Sequence, residues 1–173
     1  MEIINRTIAA LKQITVPRYF TTERGFATEF YCQLKNLNVL ELYENAILET
    51  EVQKRRDDHY GVRQRPDILI HIPIETGLTT HANENNFVVY AFKLEGGNNE
   101  VDADFEKLDE MFEYLNYAVG IFININSHPT VSLGRYTGDY KNRIHELSIR
   151  LHEGNVLIKH SRFNQGNLIT EDK

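Results

Sequence analysis

The strongest constraint on the fold lies at residues 101 to 125, where an amphipathic helical pattern runs directly into an apolar strand pattern. In "VDADFEKLDEMFEYL", Val101, Phe105, Leu108, Phe112 and Leu115 recur at helical spacing, and Asp104, Glu106, Lys107, Asp109 and Glu110 fall largely outside that stripe. The following "YAVGIFINI" is a short β-branched run of the kind buried on both faces, and "FVVYAFKL" at 87–94 is another. A helix that carries the chain from one buried strand to the next favours a right-handed parallel crossover. The fold class expected is therefore α/β.

The rest of the chain fits around this unit. Ile4, Ile8 and Leu11 predict a short N-terminal helix, and Pro17 disfavours helical geometry at Val16. Thr21 or Thr22 caps a second helix with an apolar stripe of Phe26, Phe30, Leu34 and Leu37. Cys32, the single cysteine, sits in the apolar run "FYCQL" and reads as a core thiol, so neither a disulfide nor a cysteine zinc site is expected. "VLELYENAILETEV" at 39–52 reads as a bent strand or hairpin, and "DILIHI" at 67–72 as an interior strand. "ELSIRL", "HEGN" and "VLIKHSR" read as a C-terminal hairpin. The expected order is α, α, β, β, β, α, β, β, β in one domain over residues 1–173, with "PIETGLTTHANENN" as a surface loop.

Charge and composition exclude several classes. The net charge of −6 argues against a chain coated with cations for non-specific nucleic-acid binding. Local charge differs: "KRRDDHYGVRQR" at 54–65 sets Lys54, Arg55, Arg56, Arg63 and Arg65 against Asp57 and Asp58, a basic island suited to phosphates or to a solvated loop. No stretch approaches the apolar length of a membrane span and the start has no signal-like run, so a cytoplasmic setting is expected. The seven histidines form no HExxH, and "EGGNN" lacks the lysine and hydroxyl of a phosphate-binding loop.

Hydrolysing a phosphodiester near neutral pH calls for a divalent cation, a positioned water and stabilisation of the leaving oxygen. Two or three acids and a lysine supply the protein's share, because Mg²⁺ prefers oxygen ligands and keeps several waters. An acid two residues before a lysine on a strand would share its face at about 6.6 to 7 Å. Here Asp67 opens "DILIHI" and Lys93 nearly ends "FVVYAFKL", but Ala91 stands at the position two before the lysine.

At these residues the chain resembles the PD-(D/E)xK nuclease superfamily. Pro66 and Asp67 match the "PD" element, Ala91, Phe92 and Lys93 occupy "(D/E)xK", and the order helix, three strands, helix, strand over residues 23–126 matches a restriction-endonuclease-like core. The resemblance implies a central mixed sheet flanked by helices, and metal-dependent cleavage of DNA in restriction or phage defence. It also implies Asp67 as central ligand for Mg²⁺ or Mn²⁺, the Phe92 carbonyl as a further oxygen, Lys93 as the group orienting water, and Glu29 in "RGFATEFYCQL" as a helical acid near metal-bound water. A homodimer would suit cleavage of both strands. Ala91 departs from the pattern and leaves this copy without one catalytic carboxylate. Three explanations stand open: an engineered replacement of glutamate, a naturally degenerate member that binds nucleic acid or a protein partner without cutting, or an acid from elsewhere such as Glu95.

Overall fold

The computed structural model describes residues 2–50, 66–73, 77, 78, 81 and 83–173. Among the described residues the sheet has seven strands in sequence order: β1 (Ile47–Thr50), β2 (Ile68–His71), β3 (Asn86–Leu94), β4 (Val119–Ile125), β5 (Ile144–His152), β6 (Asn155–Asn164) and β7 (Asn167–Asp172). The pairs β3–β4 and β4–β5 are parallel and the others antiparallel, which makes a mixed sheet with a parallel centre. Helices α1 (Glu2–Lys12) and α2 (Glu23–Asn36) cover one face, and α3 (Asn98–Leu115) covers the other.

The alternation of β3 assigns its side chains to these faces. Val88, Tyr90 and Phe92 join Phe26, Phe30 and the α1 residues, while Val89 and Ala91 join Leu69 and the apolar face of α3. On the first face Phe30 packs edge-on against both Tyr90 and Phe92, with centroids 5.3 and 5.6 Å apart. Burying each such ring contributes about 1.5–3 kcal/mol. The Tyr90 hydroxyl lies 3.0 Å from Thr7 Oγ1, so the one polar atom of that ring is satisfied where α1 crosses.

Helix α2 starts where Thr22 Oγ1 accepts the Gly25 N–H at 3.1 Å, and Val16 before Pro17 is extended. Cys32 does not belong to the core. It is exposed, because it lies two residues, or about 200° of rotation, beyond Phe30 on a helix whose buried side is Phe26, Phe30 and Leu34. The segment from 39 is also corrected: Val39–Leu42 is a 3-10 turn, and among its described residues the strand is Ile47–Thr50. Asn38 and Asn45, both at positive φ, turn the chain on either side of it.

The C-terminal region holds one strand more than expected. Glu153–Gly154 makes the anticipated tight turn between β5 and β6, and Gln165–Gly166 makes a second that adds β7. The β4–β5 crossover uses a loop pinned by Glu146, which is fully buried and accepts the Ser132 N–H at 2.9 Å, the Leu133 N–H at 2.7 Å and the Ser148 hydroxyl at 3.0 Å. Among the described residues no helix is long and apolar enough to cross a membrane.

Candidate functional site

The antiparallel register of β2 and β3 pairs Ile68 with Tyr90, and one step further out it carries Asp67 to the level of Ala91. The Asp67 carboxylate accepts the Phe92 N–H at 2.8 Å, which fixes it at the sheet end beside the parallel centre. Lys93, two residues beyond Ala91, extends from the same strand face. Gly96 then lets the chain turn closely past Lys93: a Cβ at that position would lie 2.4 Å from Lys93 Cγ. The tight return lays α3 across the site.

Asp67, Ala91, Phe92 and Lys93 thus meet in one cleft of about 90 Å³, together with Glu23 from the first turn of α2 and Asp104 from α3. Lys93 Nζ is 3.6 Å from Glu23 Oε1 and 3.6 Å from Asp104 Oδ2. Glu23 Oε1 also accepts the Leu94 N–H at 3.4 Å, and Lys107 donates to Asp104 Oδ1 at 2.7 Å. Glu29 is not among the lining residues. It accepts a hydrogen bond from Gln33 at 2.7 Å along the helix, and Glu23, six residues earlier, is the α2 acid at the cleft. Glu95 follows the end of β3 at positive φ and accepts from Asn126, outside the cleft lining.

Three carboxylates and two ammonium groups therefore share a space partly screened from bulk water. Burial pushes the Asp67 carboxyl up to about 6; the Phe92 N–H opposes this, and the charges of Asp104 and Glu23 add to it. Burial works against the Lys93 charge, yet Asp104 and Glu23 outweigh it and raise its pKa. Burial and the neighbouring Asp104 and Glu23 charges therefore disfavour the Asp67 anion, and a positive charge placed beside it would offset both effects.

The donor set fits a hard divalent ion of the Mg²⁺ type. Asp104 Oδ2 is buried and has no hydrogen-bond partner among the described residues, Asp67 is charge-frustrated, and the Phe92 carbonyl belongs to the same strand end. Among the described residues no group of three His, Cys, Asp or Glu side chains is spaced to hold a metal alone. Mg²⁺ does not require one, since one or two carboxylates and several waters commonly complete its shell. The basic island of Lys54, Arg55, Arg56, Arg63 and Arg65 lies outside the described residues.

A larger groove of about 560 Å³ runs from this cleft along α2, sharing Glu23, Asp67 and Phe92 and continuing past Thr28, Tyr31 and Cys32. The cleft and the groove are two parts of one surface.

Sheet order, parallel centre and flanking helices together define a restriction-endonuclease-like fold. NucC shares it. The solved structure of NucC from P. aeruginosa ATCC27853, in its cAAA-bound form, matches 99% of this chain and 80% of its own, with a TM-score of 0.53 and 11% sequence identity. At that identity the likeness is one of fold. No protein-family model and no curated protein matches the chain.

Proposed function

We propose that this chain is a metal-dependent nuclease that hydrolyses phosphodiesters, with DNA as the substrate class, at the cleft between β2, β3 and α3. The observation that carries the reading is the convergence of Asp67 and Lys93 beside the Phe92 backbone in one shielded cleft. Asp67, with the Phe92 carbonyl, would hold Mg²⁺ or Mn²⁺, which supplies charge neutralisation and an acidified water. Lys93, held charged by Glu23 and Asp104, orients the attacking water and offsets negative charge developing on the phosphoryl oxygens. The groove along α2 gives a polynucleotide room to extend away from the reacting phosphate. No covalent intermediate is called for. Among the described residues no serine or cysteine lines the cleft, and the hydroxyl of the lining Tyr90 is engaged with Thr7 under α1.

A second reading is favoured by Ala91. Without a carboxylate there, and with Lys93 already within ion-pair distance of two acids, the same surface would bind nucleic acid or a protein partner without cutting it. Cleavage of plasmid and linear DNA in Mg²⁺ or Mn²⁺ separates the two, using the parent chain, Ala91→Glu, and Ala91→Glu combined with Lys93→Ala. Cleavage by Ala91→Glu that the added Lys93→Ala abolishes supports the nuclease. A folded Ala91→Glu chain inert on DNA and RNA, with no divalent-metal binding, supports the binding module.

A further inference from the structure

The amphipathic pattern of α3 contains an anomaly. Its buried residues are Val101, Asp104, Phe105, Leu108, Met111, Phe112 and Leu115, so Asp104 occupies a core-facing position between apolar neighbours. Only 4% of Asp104 is exposed, and its Oδ2 atom has no hydrogen-bond partner among the described residues. Lys93 Nζ faces that oxygen as an ion pair at 3.6 Å, longer than a hydrogen bond, so the buried carboxylate keeps an oxygen whose hydrogen-bonding capacity is unused among the described residues. Its other oxygen is tied to Lys107, a half-exposed side chain one turn along the same helix. Asp104 lines the cleft together with Asp67, Ala91 and Lys93. Ala91 itself packs against the α3 cluster, on the strand face that this helix covers.

We propose that Asp104 supplies from helix α3 the carboxylate that strand β3 lacks at Ala91, so that Asp67 and Asp104 together hold the divalent cation. The proposal rests on reading the cleft as a metal site. It removes the need for an acid at position 91: the methyl of Ala91 leaves space that a glutamate side chain would fill, and the acid enters across the helix–sheet interface. The parent chain is then complete as it stands.

Mn²⁺ titration by calorimetry on the metal-free protein tests this without an activity readout. The parent binds one Mn²⁺ per chain. Asp104→Asn, which keeps the shape, weakens binding on the order of tenfold to a hundredfold, a range reached even by loss of groups outside the ligand shell. Asp67→Asn weakens it at least as much, and Ala91→Glu in the Asp104→Asn background restores it. Parent-like affinity in Asp104→Asn with loss in Asp67→Asn overturns the role of Asp104 and leaves the metal site standing. No Mn²⁺ binding by the parent overturns both. Should Asp104→Asn fail to fold, crystals of the parent grown with Mn²⁺ decide by anomalous scattering. The ion is expected within about 2.1 Å of oxygens from both Asp67 and Asp104; an ion on Asp67 alone overturns the proposal.

Discussion

Replacing Asp67 by asparagine is expected to stabilise the metal-free protein while removing the proposed metal ligand. The substituted side chain would keep the shape of the original and an oxygen able to accept the Phe92 N–H, now at 2.8 Å. What disappears is a charge that burial, Asp104 and Glu23 make unfavourable, moving the carboxyl from its ordinary 3.8 to about 6. Each tenfold change in proton affinity corresponds to about 1.4 kcal/mol, so holding the anion in the fold costs about 3 kcal/mol above pH 6. The folded pKa is raised, so the folded chain takes up a proton between pH 6 and 3.8 that the unfolded chain does not. The parent is relieved of the cost as pH falls through that window. Urea denaturation in EDTA, followed by far-UV circular dichroism, should show Asp67→Asn more stable by about 1–3 kcal/mol at pH 8, with the difference shrinking towards zero near pH 4. Comparing variant with parent cancels other titrations common to both. A variant less stable than the parent at pH 8, or a difference that ignores pH, would refute the reasoning.

Other outcomes follow from buried polar groups and close contacts. Glu146→Ala strands the N–H groups of Ser132 and Leu133 and should cost about 3 kcal/mol or more by denaturation. Gly120→Ala places a Cβ 2.5 Å from the Phe112 ring and should cost about 1–3 kcal/mol, read as a lowered melting temperature with the fold retained. His145 and His160 stack with nitrogens 2.9 Å apart, and burial holds their pKa values down at about 3 and about 4. The unfolded chain gains protons first as pH drops below about 6.5, so stability should fall by up to about 2 kcal/mol per histidine at pH 5, and His145→Gln with His160→Gln should flatten that slope. Cys32 lies exposed in the groove beside the cleft. DNA bound in Ca²⁺ should therefore slow its reaction with a thiol reagent, and an unchanged rate would place the DNA elsewhere.

The parts of the fold that were legible in the sequence are those where one periodicity dominates. The Thr22 cap with the Phe26, Phe30, Leu34 stripe, the strands around Ile70 and Val89, and the helix that forces β3 and β4 parallel all appear as expected. The 3-10 turn at Val39–Leu42 was not legible, because its β-branched and apolar residues imitate a strand while asparagines at positive φ break it. Strand β7 had a signal in Gln165–Gly166, but "NLITED" is an exposed edge whose polar residues hide the alternation. At the site, Asp67, Ala91 and Lys93 meet as their strand positions imply, whereas Glu29 proved to lie outside the cleft that Glu23 enters. Asp104 was readable in principle. The spacing 101, 104, 108, 111, 115 includes it in the buried face of α3, and its charge alone set it outside the apolar stripe.

Cleavage of supercoiled plasmid by the parent chain in Mg²⁺, with Asp67→Asn and Lys93→Ala alongside, tests the metal-dependent nuclease reading most directly. The parent is expected to nick or linearise the plasmid, EDTA to stop it, and both variants to be silent while remaining folded. A parent chain inert in Mg²⁺ and Mn²⁺ even when given Ala91→Glu, or cleavage that survives Lys93→Ala, would contradict that reading.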